Sequence, residues 1–156
     1  MSWRRNCVPR RPISQAAEPS LRFFLDRGLG AFIVPTALRA AGWVLETMDE
    51  RYGKQESQNI SDVRWIEEAT NNGDILLCKD LRIAKNPLEA EVIDRVAARA
   101  FGLKNRNVAG QTMVAHLLEN QGAIFQMALR AEGPYVVAVD ASDAARPLRR
   151  LRLNRP

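Results

Sequence analysis

Three aspartates stand where carboxylates could work together. Asp26 closes the run Leu21-Arg22-Phe23-Phe24-Leu25, and Asp80 follows Ile75-Leu76-Leu77-Cys78-Lys79. If both runs are parallel strands, both acids leave the sheet at one edge, outside the carboxyl ends where α/β sheets place their sites. Asp62 joins them through helix geometry, because Trp65, Ile66 and Ala69 follow it at spacings of three, four and seven and share its stripe. Crowded carboxylates repel and raise one another's pKa, so such a cluster calls for a cation. Hard oxygen ligands suit Mg2+ or Mn2+. The lone histidine, His116, and the two cysteines give no zinc set. A divalent ion held by carboxylates can ionise a water and stabilise charge developing on a phosphodiester. Metal-dependent nuclease chemistry is therefore expected of Asp26, Asp62 and Asp80, with Arg27, Lys79, Arg82 and Lys85 on the rim as phosphate contacts.

Plainer roles exist for each acid. Asp26 could cap the next helix, Asp62 could favour a helix dipole, and Asp80 could be a turn residue. Glu89 fits a capping box with Asn86, because Pro87 falls at the first helical position and Glu89 at the third. The coincidence of position carries the functional reading, not any single residue.

The elements that must position these groups alternate. Strands are expected over 21–26, 42–47, 74–80, 99–103 and 134–142. Helices are expected after Gly30 up to Gly42, over 61–73, from 86 to a little past Arg95, and over 109–133 with a break near Asn120–Gly122. Residues 48–59 are polar and non-periodic and read as a surface loop. Alternating strands and helices predict an α/β sandwich of three layers, with a mostly parallel central sheet flanked by helices.

The chain has 156 residues, 46% hydrophobic and 26% charged, enough for one domain with its own core. No apolar run approaches the ~20 residues that span a bilayer, and no signal-peptide pattern follows the basic N-terminus. No membrane association is expected, and a cytoplasmic setting suits two cysteines that form no disulfide framework. The net charge of +5 is uneven. Residues 1–12 carry Arg4, Arg5, Arg10 and Arg11 without an acid, and residues 146–156 carry five arginines without one. The expected organisation is a flexible basic leader over 1–20, the folded domain over 21–142 and a basic tail over 143–156.

Three stretches, FFLDRGLG, SDVRWIEEA and DILLCKDLRIAKNPLE, together resemble the PIN-like ribonuclease domains, in particular the VapC-type toxins of bacterial toxin–antitoxin pairs and their VapC45-like branch. The resemblance runs from about Leu21 to Val139. It implies a Mg2+- or Mn2+-dependent endoribonuclease acting on RNA and neutralised by a cognate antitoxin protein, and it suggests a homodimer. Asp26, Asp62 and Asp80 would be the metal ligands, with Glu89 the candidate for the family's fourth acid. This chain has Cys78-Lys79-Asp80 where Thr-x-Asp is commoner. The alternative is a catalytically inactive PIN-like module that acts through protein or RNA contacts. A dinucleotide site is disfavoured, since Gly28-x-Gly30 is followed by Ile33 where the third glycine belongs.

Overall fold

The structure is a computed structural model and describes residues 21–105 and 107–154; the expected leader, 1–20, lies outside them. Six strands form one sheet: β1 (Arg22–Leu25), β2 (Val44–Thr47), β3 (Ile75–Cys78), β4 (Arg99–Leu103), β5 (Tyr135–Val139) and β6 (Leu148–Arg150). Their spatial order is β2-β1-β3-β4-β5-β6. The first five run parallel, and β6 pairs antiparallel with β5. This is the expected α/β sandwich.

Alternation along each strand feeds two separate cores, as a side-chain period of two requires. Phe23, Leu25, Ile75, Leu77, Phe101, Val137 and Val139 point to one face. There they meet α1 (Ile33–Ala40), α5 (Gly110–Glu119) and α6 (Gln121–Arg130) through Leu38, Leu117 and Ile124. Phe24, Leu76, Cys78, Ala100 and Val136 point to the other. That face is covered by α2 (Met48–Tyr52), α3 (Asp62–Asn71) and α4 (Pro87–Val96) through Met48, Trp65, Ile66, Val92 and Ile93. Because both faces are covered, the strands are near-continuous apolar runs; β3 and β5 are buried throughout.

Two elements depart from the sequence expectation. The polar segment after β2 opens with the short helix α2. Thr47 Oγ1 accepts from the Glu50 N–H while Glu50 Oε1 accepts from the Thr47 N–H, a capping box that nucleates a turn without apolar periodicity. The second is at the far end of the chain. Residues 148–150, assigned to the basic tail, add a strand to the sheet edge. Beyond it Leu151 N–H bonds to Val136 O at 2.8 Å and Asn154 N–H to Ala84 O at 2.8 Å. Leu151 and Leu153 pack against the second core and Arg150 lies over the Tyr135 ring, so this stretch holds on through its leucines, its backbone and one arginine.

The chain leaves β1 toward β2 and then returns across β1 to start β3. The crevice between β1 and β3 is thus the point where strand order reverses, and there the carboxyl ends of a parallel sheet leave an open cleft.

Candidate active site

Asp26 and Asp80 follow the two strands that flank this reversal. Register pairs Leu25 with Leu77, and the Asp26 N–H continues the ladder to Leu77 O at 3.0 Å. In the other direction the Lys79 N–H donates to Asp26 Oδ2 at 3.3 Å. The backbone ladder therefore fixes where the Asp26 carboxylate points. Its other oxygen, Oδ1, is buried and has no hydrogen-bond partner. Burial is the main force pushing the Asp26 pKa up, to about 6; the Lys79 N–H opposes it and the charge of Asp62 adds to it. Gly28 makes room for this carboxylate. A Cβ at position 28 would stand 3.0 Å from Asp26 Oδ1 and 3.1 Å from Lys79 Cβ.

Asp62 opens α3, which Ser61 caps by accepting from the Arg64 N–H. The expected stripe is present: Trp65, Ile66 and Ala69 are buried beneath it. Trp65 Nε1–H donates to Asp62 Oδ1 at 2.8 Å, so a core tryptophan orients the acid at its edge. Asp80 precedes the 3-10 turn Leu81–Ala84 and accepts from the Arg82 N–H at 2.9 Å and from Arg82 Nε–H at 2.6 Å.

Glu89 is not in a capping box. The Asn86 side chain caps α4 by accepting from the Leu88 N–H at 3.0 Å. The Glu89 carboxyl instead shares a hydrogen bond with Asp62. Its pKa is pushed up to about 7, first by burial, then by that bond and the charges of Asp62 and Asp80, with Arg82 opposing.

These four acids line one cavity of about 600 Å3, together with Arg27, Gly28, Trp65, Lys79 and Arg82. The three aspartates that the sequence pattern pointed to are brought together, with Glu89 beside them. Among the described residues, no group of three or more acids, histidines or cysteines already stands arranged to hold an ion. The donor chemistry nonetheless fits a hard divalent cation. The set is all carboxylate, one oxygen is buried without a partner, and two of the four acids have pKa values raised first by burial and then by the neighbouring carboxylates.

The expected rim cations divide. Lys79 and Arg82 line the cavity. Arg27 is engaged: its Nη2 donates to Ser57 O at 2.9 Å and to Ile60 O, and its Nη1 lies 3.6 Å from Asp62 Oδ1. It lines the same cavity and ties the 57–60 loop beside Asp62. Lys85 lines an adjoining cavity instead. Cys78, at the start of Cys-Lys-Asp, is fully buried, and burial pushes its thiol pKa well up, which leaves it inert.

A mostly parallel sheet with acids gathered at its reversal point defines the PIN-like class. Residues 21–105 match the family described as PIN like domain, and the chain belongs to that family. Its likeness extends to a protein of Mycobacterium tuberculosis (strain ATCC 25618 / H37Rv) named "Putative ribonuclease VapC45". The two are 35% identical over 125 residues, which cover 80% of this chain and 90% of the relative. No solved structure matches the chain. Among the described residues, no helix is long and apolar enough to cross a membrane.

Proposed function

We propose that the chain is a divalent-metal-dependent endoribonuclease, the toxin of a toxin–antitoxin pair, working in the cytoplasm. The observation that carries this reading is the cavity itself: Asp26, Asp62, Asp80 and Glu89 line it together, in a chain of the PIN-like family with a relative named as a ribonuclease. No observation favours the inactive binding module.

Asp26, Asp62, Asp80 and Glu89 would hold Mg2+ or Mn2+. Such an ion, when bound, supplies Lewis acidity toward a phosphodiester and offsets the clustered negative charge. The protein's own residues set the stage. The sheet ladder fixes Asp26, Trp65 fixes Asp62, and Arg27 braces the loop beside it. Lys79 and Arg82 offer positive charge to the backbone of the bound strand. Arg82 also pairs with Asp80 at 2.6 Å, and an arriving phosphate would compete for that guanidinium.

The test is direct. Purified protein is incubated with structured and unstructured RNA in Mg2+, Mn2+ or EDTA. Cleavage that needs the metal, with growth arrest on expression that a co-expressed neighbouring gene relieves, is the expected result. No cleavage of any RNA in either metal, with intact folding, would overturn the enzymatic reading.

A further inference from the structure

Beside the carboxylate cavity lies a second one, of about 450 Å3, within the ~300–1,000 Å3 range of small-molecule sites. The two share Asp80, Arg82 and Asn107 as a common wall, so a polymer threaded through the first reaches the second. Their characters differ. The first has four acids and three cations in a mostly polar wall. The second has an apolar floor, with Leu103 and Ala138 buried and Leu81 and Leu151 partly buried, beneath a rim of four cations.

Two of those cations are already neutralised. Arg82 pairs with Asp80 at 2.6 Å and Lys104 with Asp140 at 3.1 Å. The other two are Lys85, after the 81–84 turn, and Arg149, on β6 opposite Ala138. Among the described residues neither has a carboxylate within ion-pair distance, and both side chains belong to exposed residues. The cavity therefore carries two unbalanced positive charges above an apolar floor. That combination suits a group with an anionic end and a flat, weakly polar body.

We propose that this second cavity is the subsite for the nucleotide adjoining the cleaved linkage, with Lys85 and Arg149 on its phosphate and the leucine floor under its base. The proposal rests on the ribonuclease reading for its substrate, but its geometry is independent of the carboxylates. It gives β6 a purpose: the strand brings Arg149 and Leu151 to the wall, and the Asn154 side chain bonds to Lys85 O at 2.8 Å, bracing the opposite side. A strand that looks like a charged tail in the sequence becomes part of the substrate channel. Lys104 is a positioning residue, locked by Asp140 along the floor's edge.

Nucleotide binding and RNA cleavage test this separately. The full chain in EDTA is titrated calorimetrically with 5′-AMP, 5′-GMP, 5′-CMP, 5′-UMP and inorganic phosphate, and RNA cleavage is followed in Mg2+ or Mn2+. The variants are Lys85→Ala/Arg149→Ala and, keeping the charge, Arg149→Lys; thermal midpoints check folding. At least one nucleotide should bind more tightly than phosphate. The double variant should weaken that binding about tenfold, the loss of charge-assisted hydrogen bonds to one phosphate. It should raise KM for RNA by a similar factor with kcat held within about twofold, and Arg149→Lys should recover part of the loss. Nucleotide binding lost in the double variant, with no RNA cleaved by the wild type, would keep the subsite and sink the ribonuclease reading. Cleavage by the wild type with unchanged KM and nucleotide binding in the double variant would sink the subsite alone. Phosphate binding as tightly as every nucleotide would also sink it, leaving an anion site with no base pocket.

Discussion

Asp74 precedes β3 and Asp26 follows β1, so the two mark opposite ends of neighbouring parallel strands. The Asp74 side chain is wholly buried and fully partnered: Arg22 Nε reaches its Oδ1 at 2.6 Å and Arg51 Nη2 its Oδ2 at 2.8 Å. Arg51 is further held by Glu46 at 2.6 Å and lies over the Phe24 ring. Asp26 is set as deeply at its Oδ1, yet no cation within the fold is given to that oxygen. The charge that acts on it is that of another acid, Asp62, which pushes its pKa up further. A buried carboxylate is costly unless it is paired. At the amino end the protein meets that cost with arginines; at the carboxyl end one buried oxygen is left without a hydrogen-bond partner. The difference separates a carboxylate that holds the fold from one that, on the proposed function, would hold a metal.

Substitution at each end should break the comparison in opposite directions. Asp26→Asn should lower metal-dependent RNA cleavage more than about a hundredfold, since even groups behind metal ligands cost 10–100-fold when removed; initial rates at saturating metal give the number. Asp74→Asn should leave cleavage per folded molecule unchanged and instead cost about 3 kcal/mol of stability by leaving two arginines unmatched, with Arg22's partial exposure softening the loss. Urea unfolding in the presence of EDTA measures it, and a stability equal to wild type would remove the contrast.

The pH-dependent effect is the most diagnostic. The Asp26 carboxyl has its pKa raised from 3.8 to about 6 in the fold, so the folded state favours the protonated form. The stability conferred by that proton is complete below pH 3.8 and is lost as pH rises through 6. In EDTA above pH 6, Asp26→Asn should therefore be more stable than wild type, by up to about 3 kcal/mol, and the gain should vanish toward pH 4. Melting curves across that window decide it. A variant less stable at every pH would mean that Asp26 is structural after all.

Much of this arrangement could be read in advance, for definite reasons. Strand-ending Asp26 and Asp80 and the stripe below Asp62 depend on local periodicity, which a single sequence displays. What escaped depended on tertiary neighbours or on short motifs. The Thr47–Glu50 capping box was present in the letters, but no apolar spacing surrounded it, so α2 passed for a loop. Leu148–Arg150 has too few residues and too many arginines to announce a strand, and only the open edge of β5 makes it one. Glu89 satisfied two patterns at once, and α3 lying beside α4 settled it in favour of Asp62. Arg27 does line the cavity, but its bonds to the carbonyls of Ser57 and Ile60, thirty residues away, could not be read from the sequence.

The bare α-carbon at Gly28 carries a further implication. Its neighbours at 3.0 and 3.1 Å, Asp26 and Lys79, hang from the ends of two rigid strands and have little freedom to retreat. One added methyl would therefore push aside the carboxylate while leaving every charge in place. The smallest possible edit to the chain thus reaches its chemistry, and a protein silenced that way would keep its full electrostatic attraction for whatever it normally grips.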